Sequence, residues 1–237
     1  METAAASVLS RAVDYDIKKR YTEALVCYQE GIQIILDELK GMKDDKKRNH
    51  MRQKVTEYMD RAEKIKKLVQ DEKEAGKYHE QIQIADNSIG NDYEKIFGRF
   101  LDENLLSVEI DDPYIRTTHQ IYNFLRFCEL LIKKCKNLRK IALTTGIDEQ
   151  NHSSQEQKFE KICFSLKKNN VTLKVHYSGT LHDREIRFDN GWVIKVGRGL
   201  DYFKPTENNF SIGFCDLSLR PCHETTVDIF HKKSLKV

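Results

Sequence analysis

Two periodicities divide the chain. From residue 3 to about residue 75, apolar positions recur every three to four residues, without a proline and with Gly31 and Gly41 as the only glycines. Val8, Ala12 and Tyr15 form one stripe. Leu25, Tyr28, Ile32, Ile35, Leu36 and Leu39 form a second, and Val55, Tyr58, Ala62, Ile65 and Val69 a third. Thr22 and Glu23 supply a polar start for the second segment, and Gly41 a stop. Three amphipathic helices on short connections predict an antiparallel bundle. Charged and turn-rich residues follow, from Asp71-Glu72-Lys73-Glu74 to Asn87-Ser88-Ile89-Gly90. The expected organisation is a bundle over 1–74, a linker over 75–90 and a second domain over 91–237.

After about residue 93 the pattern alternates. Leu105 to Ile110 reads as a strand ended by Asp111-Asp112-Pro113. Ile121, Phe124, Leu125, Cys128, Leu131 and Ile132 give a helical stripe, and Ile141-Ala142-Leu143 a buried strand. Phe159, Ile162, Cys163 and Leu166 give another helix before the alternating Val171 to Val175. Strand, helix, strand, helix, strand predicts a sheet covered by helices. Ile186-Arg187-Phe188 and Trp192 to Val196 read as hairpin-linked strands. Thr226 to Phe230 reads as a last strand or a short helix. The fold class expected is an all-α three-helix bundle followed by an α/β domain.

Composition narrows the function classes. Among 237 residues, 40 basic and 37 acidic side chains leave a net charge of +3, so contact with a polyanion requires a local patch. Nucleic acid is not an expected partner. No apolar run approaches the ~18–20 residues that span a bilayer, and the start Met1-Glu2-Thr3-Ala4-Ala5-Ala6 lacks the basic and apolar blocks of a signal peptide. A cytoplasmic protein is expected. The six cysteines, Cys27, Cys128, Cys135, Cys163, Cys215 and Cys222, have no C-x-x-C spacing. They read as small buried hydrophobes, with no metal and no cofactor expected. Cys222-His223-Glu224 does not read as a catalytic pair, because neighbours on a strand point to opposite faces. Asp111-Asp112 reads as a strand-ending turn rather than a cation loop.

The third helical segment holds a candidate groove. Met59 lies about 85° off the centre of its stripe, at about 100° per residue, beside Arg52, Thr56, Glu63 and Lys66. A flexible apolar side chain next to an acidic one suits a partner helix carrying leucines and a basic residue. The wheel by itself favours the plainer reading, a methionine at the edge of a core on a solvated helix. Tyr21-Thr22-Glu23-Ala24-Leu25-Val26-Cys27-Tyr28-Gln29-Glu30-Gly31-Ile32 and Tyr58-Met59-Asp60-Arg61-Ala62-Glu63-Lys64-Ile65-Lys66 resemble MIT domains. That resemblance implies binding of the helical C-terminal tails of ESCRT-III subunits between the second and third helices. It places Met59 at the apolar groove position and Glu63 at an acidic one. Asp60 belongs to the same motif but points further outward.

The second domain contains His182-Asp183-Arg184-Glu185-Ile186-Arg187-Phe188-Asp189, an H-x-R-x-x-x-x-D pattern followed by Gly197-Arg198-Gly199. It resembles the H-x-K-x-x-x-x-D motif of the phospholipase D superfamily. There a histidine attacks a phosphodiester, a second histidine protonates the leaving group, and lysines neutralise phosphate oxygens. This chain departs from the pattern: Arg184 replaces the lysine, the serine and asparagine near Gly197 are absent, and one copy stands where two are needed. The expectation is a phospholipase-D-like fold without catalytic residues, His182, Arg184 and Asp189 being the degenerate motif. The alternative is a phosphodiesterase whose dimer pairs two His182 residues.

A bundle followed by such a domain resembles the MIT proteins that carry a phospholipase-D-like C-terminal domain. That resemblance implies an adaptor in abscission during cytokinesis, at the midbody and late endosome. It also implies a C-terminal domain that forms a homodimer and binds acidic phospholipid membranes. The basic residues Arg187, Lys195, Arg198, Lys204 and Arg220, with His231, Lys232, Lys233 and Lys236, are the candidate membrane contacts. Phe203 and Phe210 flank a polar turn around Pro205 and are candidates for insertion at the interface. A solvated strand face that only dimerises is the competing reading.

Overall fold

A computed structural model describes residues 2–42 and 44–232. Contacts divide it into two units, one through Glu80 and one from Gln81.

The first unit is built on α1 (Glu2–Ile17), α2 (Tyr21–Gly41) and α3 (Asp45–Glu74). Asp44 caps α3, its carboxylate accepting from the amides of Lys46 and Lys47 at 2.9 and 3.2 Å. Ala12, Tyr28, Ile35, Val55, Ile65 and Val69 fill the core, as the stripes predict, and Ala24 joins them. Gly31 lets α1 approach α2: a Cβ there would fall 2.6 Å from the Leu9 side chain. Asp16 ties the helices together. It accepts from the Tyr28 hydroxyl at 3.3 Å and from the Arg61 guanidinium through two bonds of 2.7 Å.

The second unit is organised by a seven-stranded sheet in the order β1-β7-β6-β5-β2-β3-β4. Its strands are β1 (His79–Ile84), β2 (Ser107–Asp111), β3 (Lys140–Thr145), β4 (Thr172–Tyr177), β5 (Glu185–Phe188), β6 (Trp192–Val196) and β7 (Thr225–His231). β2, β3 and β4 are parallel, joined by α5 (Thr118–Lys134) and α6 (His152–Lys168). β5, β6 and β7 extend the sheet antiparallel. Ile110, Ile186, Ile194 and Ile229 align in register across four strands and are all buried. α5 and α6 pack together through Phe124 and Phe159, ring centroids 6.0 Å apart. A second aromatic cluster joins Tyr93, Phe97, Phe127, Tyr202 and Phe203, centroids 4.3–5.9 Å apart.

Several expectations change in detail. The stretch read as a linker contains β1, where Ile82 and Ile84 alternate with Gln81 and Gln83. Tyr93–Phe97 forms a short helix, α4, capped by Asp92, in a stretch too brief for a periodicity. Thr225–His231 is a strand throughout, not a helix. Four cysteines are buried as expected, but Cys215 is exposed and Cys163 half-buried. Among the described residues, no helix is long and apolar enough to cross a membrane, and no group of three or more His, Cys, Asp or Glu side chains is placed to hold a metal ion.

Candidate functional site

The flanks of α3 can be assigned from its contacts. Arg61 reaches Asp16 of α1, which marks one flank. Met59 and Glu63 stand two residues to either side of Arg61, about 200° round the helix, so both lie on the opposite flank, towards α2. Met59 is 50% exposed, far more than a core methionine. The Glu63 carboxylate is exposed, with only a long 3.8 Å pairing to Lys66. Asp60 is exposed and faces almost directly away from the core stripe.

On α2, Gly31 against Leu9 marks the side towards α1. Leu25 and Leu36 lie about 120° and 140° round from it. Leu25 and Leu39 are half-buried and Leu36 is 37% exposed, so the apolar stripe continues past the core. The two helices thus present a leucine wall, a methionine and an acidic rim. A second concavity lies on the other flank, between α1 and α3. It has a volume of about 430 Å³ and is lined by Leu9, Val13, His50, Met51 and Tyr58 among others. Sequence reasoning missed it, although the 40% exposure of Val13 follows from its place beside the α1 stripe.

In the second unit the degenerate motif is spread along β5 rather than gathered. His182 lies exposed before the strand and Asp189 after it. Seven residues of extended chain separate them by about 20 Å. The Asp189 carboxylate accepts from the backbone amides of Leu106 and Ser107 at 3.1 and 2.9 Å, which secures the start of β2. Arg184 stacks over the Tyr114 ring at 4.2 Å and donates to the carbonyl of Gly197. Both charged members are thus committed to backbone positioning, and His182 has no hydroxyl, thiol or carboxylate partner among the described residues.

Asp112, at the carboxyl end of β2, organises the glycine segment. Its carboxylate accepts from the amides of Tyr114 and Leu200 at 3.0 and 3.1 Å. Burial pushes its pKa up, against the lowering effect of those two amides and of Arg184. Gly199 has φ +61°, and a Cβ there would fall 2.0 Å from Asp112 Oδ2. This segment therefore requires a glycine for structural reasons. The adjacent Asp201 accepts from His119 Nε2, Gln120 and Asn123 at 3.1, 3.1 and 2.9 Å, fixing it to the start of α5.

The basic candidates do not share one surface. Arg220 is buried, its guanidinium donating to the carbonyls of Gly213 and Phe214. It is a structural cation and presents no charge to solvent. Arg187 is held by Glu109 at 3.2 Å, Asp111 at 2.6 Å and Glu185. Burial opposes its charge, but the hydrogen bonds it donates to Asp111 and Glu185 outweigh burial and raise its pKa. Lys195 pairs with Glu185 at 3.4 Å, and Lys204 with Asp86 and Asn87 at 2.8 Å. Arg198 and Lys232 are exposed. Lys233 and Lys236 lie outside the described residues. Phe203 is buried in the aromatic cluster, so only Phe210, 98% exposed, is free to insert into anything. Ile212 beside it is 83% exposed.

Comparisons with known proteins match both units of the chain. Residues 3–67 match the family described as MIT (microtubule interacting and transport) domain. Residues 90–231 match the family described as phospholipase D-like domain at C-terminus of MIT. The chain is 56% identical over 235 residues to MIT domain-containing protein 1 of Mus musculus, covering 99% of this chain and 94% of that protein.

Proposed function

The chain belongs to the family of MIT proteins that end in a phospholipase D-like domain, and from that premise we propose that it is a non-enzymatic adaptor. Its bundle binds the helical C-terminal tails of ESCRT-III subunits, and its second unit forms a homodimer that attaches to acidic phospholipid membranes. The cellular setting of this reading is abscission in cytokinesis, with the protein peripheral on membranes at the midbody and late endosome. The observation that carries it is the exposed Met59 beside Glu63, on the α3 flank that faces α2 and its surplus leucines. A partner helix with leucines on one face and a lysine or arginine at its edge matches both features. Asp60, turned outward, contributes at most a rim charge.

Two observations support the absence of catalysis. Arg184 and Asp189 are spent on backbone positioning, and His182 and Asp189 are held at opposite ends of a strand. For membrane attachment the exposed cations are Arg198 and Lys232, assisted by the partly paired Lys195. Each contributes about 1 kcal/mol near an anionic leaflet, so attachment relies on avidity in a dimer.

The test is fluorescence anisotropy with synthetic ESCRT-III tail helices. Met59→Asp should weaken binding at least about tenfold, the loss expected when an apolar anchor is replaced by a charge. Val13→Asp, in the α1–α3 concavity, should leave it unchanged. The reverse pattern would move the partner to the other groove. Phosphodiester turnover that vanishes in His182→Ala would overturn the adaptor reading and favour the dimeric enzyme.

A further inference from the structure

Over β2, β3 and β4 the sheet has one face covered by helices and one polar face. Val108, Ile110, Ile141, Leu143 and Leu173 are buried on the helix-bearing side. Their alternates, Glu109, Asp111, Lys140, Ala142, Thr144, Lys174 and His176, point the other way. Parallel strands are normally covered on both faces, so a polar face over β2, β3 and β4 calls for a reason.

The charges on this face are matched in number but not in placement. The two carboxylates on β2 are committed to Arg187 of β5, at 3.2 and 2.6 Å. Lys140, Lys174 and His176 have no ion-pair or hydrogen-bond partner for their side chains among the described residues. Lys174 sits directly across from Ala142, and His176 across from Thr144. Lys140 is two residues before Ala142 on β3, so the two lysine Cα atoms are about 8 Å apart diagonally. Both ammonium groups can therefore reach one ion. Glu109 and Asp111 line the same cavity but are shared with Arg187, so they offset the two lysines only in part.

Ala142 makes the difference in shape. Its short side chain floors a cavity of about 290 Å³ ringed by Lys140, Lys174, His176, Thr144 and the Arg187 cluster. We propose that this cavity, set by the juxtaposition of Lys140 and Lys174 over Ala142, binds a phosphate monoester. A dianion matches the two ammonium groups, with the Thr144 hydroxyl and the His176 ring as further hydrogen-bond partners. The size suits a single headgroup or a small phosphate ester. The Glu109 and Asp111 border disfavours an extended polyanion such as nucleic acid. The site stands apart from the membrane attachment assigned above to Arg198 and Lys232, and it does not depend on that attachment.

The experiment uses the full chain and two probes. One is phosphatidylcholine vesicles doped with phosphatidic acid, set against vesicles of equal surface charge doped with phosphatidylserine, which lacks a phosphate monoester. The other is inorganic phosphate in solution, followed by the shift in melting temperature. Wild type should prefer phosphatidic acid. The double variant Lys140→Gln/Lys174→Gln should lose about tenfold or more in affinity, as expected when charge-assisted hydrogen bonds are removed. Ala142→Leu should lose binding with every charge intact, which separates a shaped site from a diffuse basic surface. Lys232→Gln should keep the preference for phosphatidic acid. Discrimination seen with free phosphate makes the ligand a soluble ester; discrimination seen only on vesicles makes it a lipid headgroup. Equal binding of both probes by wild type and both cavity variants, or no binding of either probe by wild type, would overturn the proposal.

Discussion

The two units handle charge in opposite ways. In the bundle, pairs such as Lys18–Asp14, Lys40–Asp37 and Lys54–Glu57 lie one turn apart on exposed surface. Such exposed pairs contribute little to stability, whereas Asp16 gathers partners from the other two helices. In the sheet unit, Arg187 draws carboxylates from β2 and from its own strand, Arg184 binds the backbone carbonyl of Gly197, and Arg220 those of Gly213 and Phe214 in a folded-back turn. The contrast teaches where recognition can reside. The bundle pairs many of its charges one turn apart, so what remains for a partner is apolar surplus at Met59, Leu25 and Leu36 with Glu63 at its rim. The sheet unit uses most of its candidate cations internally, so what remains is the few that have no carboxylate.

The largest effect that would sharpen this contrast is Gly199→Ala. The added methyl meets the buried Asp112 carboxylate in a backbone conformation with φ +61°. We expect a loss of about 2–4 kcal/mol, measured by urea denaturation, with the effect confined to the sheet unit. If the protein is unaffected, Asp112 and the glycine segment are not the rigid element described here.

A smaller loss is expected from Arg187→Met, about 1–3 kcal/mol, because three carboxylates lose a shared cation in a partly solvated site. Lys18→Met in the bundle should change stability by less than about 0.5 kcal/mol. Equal losses from the two variants would erase the contrast between local and cross-strand pairing.

The smallest effect is one of pH. Burial, and then the charge and hydrogen bond of Asp16, push the Tyr28 hydroxyl up to about 12. The folded bundle therefore holds this proton longer than the unfolded chain does. Its contribution is complete below about pH 10 and is lost as pH rises from about 10 towards 12. Phenolate absorbance should show one tyrosine ionising with bundle unfolding. The Asp16→Asn variant should lower its pKa.

Much of this architecture was legible in the chain. The three helices, the parallel strands around α5 and α6 and the final hairpins all follow from period, because each buries one face over enough residues to reveal it. β1 and α4 were not legible, since six and five residues give too few repeats and take their stability from distant partners. The same holds for the site. Met59 could be picked out because helical geometry alone places it off the core stripe. Arg187, Lys204 and Arg220 looked equivalent to Arg198, although each is engaged by residues far along the chain or by a folded-back turn.

The sequence by itself thus determined the division into two kinds of unit, their element types and the family. These rest on local periodicity and contiguous motifs. Only the tertiary structure decided which charges are free. Strand order brings Glu109 and Asp111 to Arg187 and leaves Lys140 and Lys174 beside Ala142 without an ion-pair partner among the described residues. Whether a charge is available depends on its neighbours in space, and in a sheet those neighbours come from distant parts of the chain.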